Sequence, residues 1–263
     1  TGKDLRRLPR LTIIVPMSER LPDLETMIAQ LVAEPSVSSV QPGLDSTNRR
    51  VCERLGEWLA AVGFSVDLPP VPGRDDKFNL LARLGDGDDG LVLAGHTDTV
   101  PWDETGWASD PFSASRREDR IYGLGTADMK SFLALAVRAA RDLRGRKLKA
   151  PLVILATADE ESTMSGARAL AESRERPGRY AVIGEPTGMQ PVYQHKGVLM
   201  EGIRLLGRSG HSSNPALGRN ALEGMAEVIA VLRDLQREFA ERFREPAFQV
   251  PEPTINLGYI RGG

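Results

Sequence analysis

Along this chain, apolar runs of strand length alternate with stretches whose apolar positions recur at helical spacing. Several of the apolar runs stop at an acidic or imidazole side chain. Helical spacing predicts helices over 24–34, 48–62, 130–143 and 165–172, the second entered from a Ser/Pro/Gly loop, PSVSSVQPGLDS, that ends in cap-type residues. Short continuous apolar runs predict strands over 78–84, 90–94, 151–157 and 180–184, the first two joined as a hairpin around the turn GDGDDG. Strands alternating with helices predict an α/β fold with several buried strands, and polar groups that close such strands converge at one rim of the sheet.

The pattern changes after Glu185. HKGVLMEGIRLLGRSGHSS predicts a strand followed by a polar Gly/Ser loop. The stretch 220–243 predicts a long helix with Leu222, Met225, Val228, Ile229, Leu232, Leu235 and Phe239 on one face, and 254–260 predicts a last strand. Strand, helix, strand is half of a split βαβ pair, so the chain reads as stopping inside a second domain, with an unpaired sheet edge. The first sixteen residues precede Met17 and predict a poorly ordered leader, since LTIIVP is too short to anchor in a membrane.

Composition narrows the class of partner. With 263 residues and 41% hydrophobic content the chain can bury an ordinary core, and 34 Lys and Arg nearly balance 36 Asp and Glu. No net field favours nucleic acid or an anionic membrane, so the expected ligand is a small molecule. One cysteine, Cys52, makes no intramolecular disulfide, and no secretory or membrane-spanning segment is evident, so the expected location is the cytoplasm.

The polar groups at the strand ends are His96, Asp128, Glu160, Glu161 and Glu185, from GLVLAGHTDTV, YGLGTADMKS, APLVILATADEES and YAVIGEPTG. Two divalent ions about 3.5–4 Å apart are bridged by a carboxylate and a water that loses its proton near neutral pH. Asp128 is the natural bridge, with His96 and Glu185 on one ion and Glu161 on the other, a nitrogen and oxygen set that suits zinc. Asp98, two residues after His96, is placed to accept the second imidazole N–H. Adjacent residues at a strand end point in different directions, so of Glu160 and Glu161 one can bind metal while the other faces the water as general base. Each group also has a plainer reading: His96 and Asp98 as a turn pair, Asp128 as a helix cap, Glu160 and Glu161 as a solvated pair, and Glu185 before Pro186 as loop. Their succession, one strand end after another, favours the metal centre.

The ordered motifs LAGHTDTVP, YGLGTADMKSFLAL, ILATADEESTMSGARAL, IGEPTGMQPV, HKG and GRSGHSSNPALGRNAL closely resemble the di-zinc aminoacylase, dipeptidase and desuccinylase superfamily over about 21–263. The resemblance implies a three-layer catalytic domain over 17–195, like that of the di-zinc aminopeptidases. It also implies a ferredoxin-like α+β dimerisation or lid domain, of which 196–263 would be the first half. It implies two Zn2+ per subunit, with Co2+ as a possible substitute, on His96, Asp128 as bridge, Glu161 and Glu185, with Glu160 as general base and Asp98 behind His96. His211, in the GHSS motif, would reach the active site of the partner in a homodimer. The substrate class it implies is an N-acyl amino acid, N2-acetyl-L-ornithine above all, with a succinylated diamino acid or a broader acyl range as the rival. Arg204, Arg219 and Asn256 are candidates to hold the substrate carboxylate. The superfamily takes one more histidine ligand from a later segment. This chain has three histidines, His96, His195 and His211, none of which is that ligand, so the second ion's site is expected to be incomplete and a non-catalytic metal-binding or dimerising fragment remains a further alternative.

Overall fold

The computed structural model describes residues 11–12, 21–41 and 43–262. They form two compact units, the first ending at Met189 and the second beginning at Gln190. Of the expected leader only Leu11–Thr12 is described, as strand β1, and the rest lies outside the described residues.

The first unit is built on a mixed six-stranded sheet of β1, β2 (Ser65–Leu68), β5 (Leu80–Leu84), β9 (Leu152–Thr157), β6 (Leu91–His96) and β10 (Tyr180–Ile183), in that order across the sheet. Strands β9, β6 and β10 run parallel, while β5 is antiparallel to β9 and β2 to β5. Two short ribbons lie outside it, β3 (Pro70–Val71) with β4 (Arg74–Phe78) and β7 (Ser115–Arg117) with β8 (Arg120–Tyr122); sequence reasoning did not foresee them.

Strand β9 explains the layering. Every residue of it is buried, and its side chains alternate between two cores. Leu152, Ile154 and Ala156 join the main core with helices α1 (Leu24–Val32), α2 (Arg49–Ala61) and α3 (Ser131–Arg141). Val153 and Leu155 join a smaller one, packed by Leu170 of helix α4 (Ser165–Ser173). Period-two alternation thus places helices on both faces of the sheet, the expected α/β layering. The expected hairpin of 78–84 with 90–94 is not formed, because β9 lies between β5 and β6. A run that is apolar at every position needs a neighbour on each edge as well as cover on each face, and the GDGDDG loop is long enough to span the two ~4.8 Å strand spacings.

Helix α1 is closed by side chains at both ends. Asp23 accepts from the Thr26 N–H at 2.9 Å. At the other end the fully buried Lys130 ammonium donates to the carbonyls of Leu31 at 3.0 Å and Glu34 at 2.8 Å. These are groups that a helix end leaves without intrahelical partners. Lys130 closes the turn Thr126–Lys130, so the bond that finishes α1 also fixes that turn.

In the second unit, helix α5 (Ala221–Arg242) starts from Asn220, whose side chain accepts from the Leu222 N–H at 2.9 Å. The strands expected near 196–206 and over 254–260 are not found. Among the described residues of this unit the only ladder contact is an isolated bridge between Arg208 and Arg219. Alternating side chains are not enough for a strand, which exists only where a neighbour takes its N–H and C=O groups, and Leu199, Leu206 and Tyr259 remain exposed.

Burial lowers the Lys130 pKa to about 8. Because the folded value lies below the unfolded one, this group's stabilisation is fully present above the unfolded value near 10.5 and is lost as pH falls to about 8. Lys130→Met removes a buried donor from two carbonyls, of which that of Leu31 keeps a backbone N–H, and is expected to cost about 1–3 kcal/mol. In denaturant unfolding at pH 7 and pH 9.5 the gap between wild type and variant should widen at the higher pH.

Candidate metal centre

Because β6, β9 and β10 are parallel and in register, their carboxyl ends open at one edge of the sheet, where ligands of α/β folds collect. His96 is the last residue of β6, Glu160 and Glu161 follow β9, and Glu185 follows β10. Asp128 reaches the same edge from the turn before α3, through a cis Asp128–Met129 peptide. Glycine makes room at two of these ends. A Cβ on Gly95 would lie 2.7 Å from Cε of the buried Met129, and one on Gly184 would lie 2.0 Å from the Phe132 ring. Met129 of the turn before α3 and Phe132 at the start of α3 therefore close directly onto the backbone before His96 and before Glu185.

The imidazole of His96 is buried and the carboxylates above it are partly open to solvent. Its Nε2 is 3.0 Å from Asp128 Oδ1 and 3.9 Å from Glu185 Oε1, and ligand atoms of the three residues all fall within 4.8 Å of one another, a group able to hold a metal ion. The other ring nitrogen, Nδ1, is 3.0 Å from the Asp98 backbone carbonyl, whereas the Asp98 carboxylate is 3.7 Å away. The carbonyl, not the expected carboxylate, thus takes the N–H, which leaves Nε2 to meet a cation. The Asp98 carboxylate accepts from the Glu161 N–H at 3.0 Å with Oδ2, while its buried Oδ1 has no hydrogen-bond partner among the described residues. Asp98 therefore ties the strand end of His96 to the backbone of Glu161.

Glu161 lies outside the three-residue group and next to it. Burial, with Asp128 as the second cause, pushes its carboxyl up to about 7. Glu185 is raised by burial, against the opposing pull of His96, and Asp98 is raised by burial too. For His96, burial works downward, but the charges of Asp98 and Glu185 and the hydrogen bond to Asp128 outweigh it, and its pKa rises. All these shifts have one physical origin, a desolvated cluster with more negative than positive charge. A divalent cation fits it: the donors are an imidazole nitrogen of fixed tautomer and carboxylate oxygens, and a buried oxygen of Asp98 lacks a partner.

The remaining candidates, His211, Arg204, Arg219 and Asn256, belong to the second unit, as does His195, and the side chains of these four candidates are exposed there. His211 Nδ1 accepts the Ser213 N–H at 3.2 Å and lies 2.7 Å from Ser213 Oγ, so in the neutral ring the proton sits on Nε2. Arg219 pairs through its backbone with Arg208. Sequence reasoning overlooked Asp159 and Lys77, both fully buried; Asp159 had one signal, a charge at the end of an apolar run.

Residues 92–255 match Peptidase family M20/M25/M40. The acetylornithine deacetylase of Pectobacterium atrosepticum is 48% identical over 247 residues, covering 94% of this chain and 64% of that protein. The acetylornithine deacetylase of Edwardsiella ictaluri gives the same values of 48%, 94% and 64%. The chain thus spans about 64% of the length of the curated relatives it matches. In fold it is similar to a tripeptidase from Staphylococcus aureus, with a TM-score of 0.51 at 18% identity, over 79% of this chain and 55% of that one.

Metal uptake should compete with protons. Were Glu161 a ligand, it would first have to lose a proton held up to about pH 7, so affinity for added Zn2+ is expected to rise from pH 6 and to level off above pH 7. Calorimetry at pH 6.5 in buffers of different ionisation enthalpy should show proton release on binding.

Proposed function

The chain belongs to peptidase family M20/M25/M40, and from that premise we propose that the protein is a metal-dependent amide hydrolase that removes acetate from N2-acetyl-L-ornithine to give L-ornithine, a step of arginine biosynthesis. The observation that carries the substrate is the 48% identity, over 94% of this chain, to curated acetylornithine deacetylases. In this reading His96 and Glu185 would hold one zinc ion and Glu161 a second, with Asp128 shared between the two. The grouping of His96, Asp128 and Glu185 within 4.8 Å, with Glu161 just beyond, supports it. Bound ions supply Lewis-acid polarisation of the acyl carbonyl and a nucleophilic water at neutral pH.

The chain's own residues do the rest. Glu160 accepts a proton at its carboxylate from the attacking water and returns it to the leaving amine nitrogen, so that acetate and ornithine separate. His96 is held in its tautomer by the Asp98 carbonyl, and Asp98 also holds the Glu161 backbone. Residues 196–263 are the first half of the dimerisation or lid unit, and His211, with its proton on Nε2, donates to the oxyanion in the partner's site. Arg204, Arg219 and Asn256 are the residues proposed for the substrate carboxylate. The proposed location is cytoplasmic; among the described residues no helix is long and apolar enough to cross a membrane.

A panel of N-acetylornithine, N-succinyl-diaminopimelate and other N-acyl amino acids tests the substrate: the first should have the highest kcat/KM, and a preference for the succinylated compound would refute the assignment. Glu160→Gln should keep its metal and lose about 100- to 10,000-fold in kcat, while Glu161→Gln should lose metal as well. Equal metal loss in both would reverse the two roles. His211→Ala should bind metal normally and lose about 100- to 1,000-fold in kcat. Mixing it with Glu160→Gln protein should restore activity in hybrid dimers, and exchange of subunits without recovery would remove His211 from the partner's site.

A further inference from the structure

Around the residue that precedes the two glutamates lies a charge network with no access to solvent at its centre. Lys77 of β4 and Asp159, the residue before Glu160, are both fully buried. The three N–H groups of the Lys77 ammonium are matched by three acceptors: Asp159 Oδ1 at 2.8 Å, Asp45 Oδ1 at 2.8 Å and the Ser46 carbonyl at 2.7 Å. Asp159 is saturated in turn. Its Oδ1 also accepts from Ser38 Oγ at 3.1 Å, and its Oδ2 accepts from Ser165 Oγ at 2.7 Å and lies 3.4 Å from an Arg74 nitrogen. Arg74 closes the circuit on Asp45. Two cations, Lys77 and Arg74, meet two anions, Asp45 and Asp159.

Asp159 also shapes the backbone. Its φ is +57°, in the left-handed region that a non-glycine residue enters only at a cost. Its carbonyl accepts the N–H groups of Ser162 and Met164, and helix α4 starts at the next residue, Ser165. Before it, the Ala158 N–H is held by Asn79 Oδ1 at 3.1 Å. After it, the Glu161 N–H is held by Asp98 at 3.0 Å. The bend that carries Glu160 and Glu161 is therefore clamped on its buried side by the Lys77–Asp159 pair. A buried ion pair of this kind adds little stability over well-packed apolar side chains, because desolvation consumes its Coulomb energy. What it supplies is direction: each partner has one satisfied geometry.

We propose that Lys77 and Asp159 are positioning residues for the Glu160–Glu161 loop, setting which carboxylate meets the second ion and which meets the reacting water. The proposal rests on the two-metal reading of the site and names the network that fixes its least constrained member. Asp45 is the control, because it shares the Lys77 ammonium but makes no contact with the loop.

The test compares Asp159→Asn with Asp45→Asn in the protein expressed from its complete reading frame, by thermal midpoint, Co2+ titration followed in the visible spectrum, and a kcat against KM split on N-acetylornithine. Asp159→Asn should weaken the ion held by Glu161 by about 10- to 100-fold, alter the Co2+ absorption, and lower kcat by a similar factor with KM within about twofold. Asp45→Asn should lower the thermal midpoint and leave the metal titration and kcat as they were. The double variant Lys77→Met/Asp159→Asn leaves no uncompensated buried charge, and it should show the same selective loss if the single variant is too unstable to purify. Wild-type metal titration and kcat in folded Asp159→Asn or in the double variant would overturn the proposal. So would the same site defect in Asp45→Asn, which would reduce the network to general stability. Wild-type protein that takes up no metal would overturn the two-metal reading, and this proposal with it.

Discussion

Strand β9 is covered on both faces and paired along both edges, and the position of every group at the candidate centre depends on that burial. Leu152, Ile154 and Ala156 face one core and Val153 and Leu155 the other, so the strand has one register in which neither face is left wet. Its parallel pairing with β6 sets His96 opposite Thr157, one turn of chain before the two glutamates. The pairing of β10 with β6 then brings Glu185 to the same edge. Burial on both faces fixes β9, the exposed β10 is aligned by its parallel pairing with β6, and together they bring side chains from separate segments to one edge.

That meeting is electrostatically unfavourable in the protein alone. Asp98, Glu161 and Glu185 are pushed upward in pKa with burial as the first cause, and His96 is drawn toward its charged form by the carboxylates around it. A protein tolerates such a cluster where something else holds the groups in place. Here Lys130 ties the Asp128 turn to the end of α1, Asp98 ties His96 to Glu161, and Lys77 with Asp159 ties the glutamate loop to β4. The folding energy of the layers, spent on a handful of buried polar bonds, keeps like charges close enough to share a cation.

The second unit follows different physics. Its helix is well capped by Asn220, yet its apolar runs find no ladder among the described residues, and Val198, Leu199 and Tyr259 are exposed. Helices satisfy their own backbone, so α5 forms from local pattern alone, whereas strands depend on a neighbour.

Much of this was legible in the residues themselves. Helical spacing located α1 to α5 to within a few residues, and the polar closures of the apolar runs singled out His96, Asp128, Glu160, Glu161 and Glu185. Both signals are local: a helix face and a strand end are written in the residues that form them. The strand order was not legible, and the hairpin expected from GDGDDG gave way to β9 between β5 and β6, since pairing partners far apart in sequence compete on burial that no single run records. Nor was it legible that the Asp98 carbonyl, rather than its carboxylate, meets His96, or that Lys77 and Asp159 are buried against each other across the sequence from β4 to the loop after β9. Those bonds join segments whose meeting depends on the packed sheet. Sequence by itself determined which polar groups follow the apolar runs and about where those runs end; the tertiary structure decided which of them touch, because direction and desolvation exist only once the layers have closed.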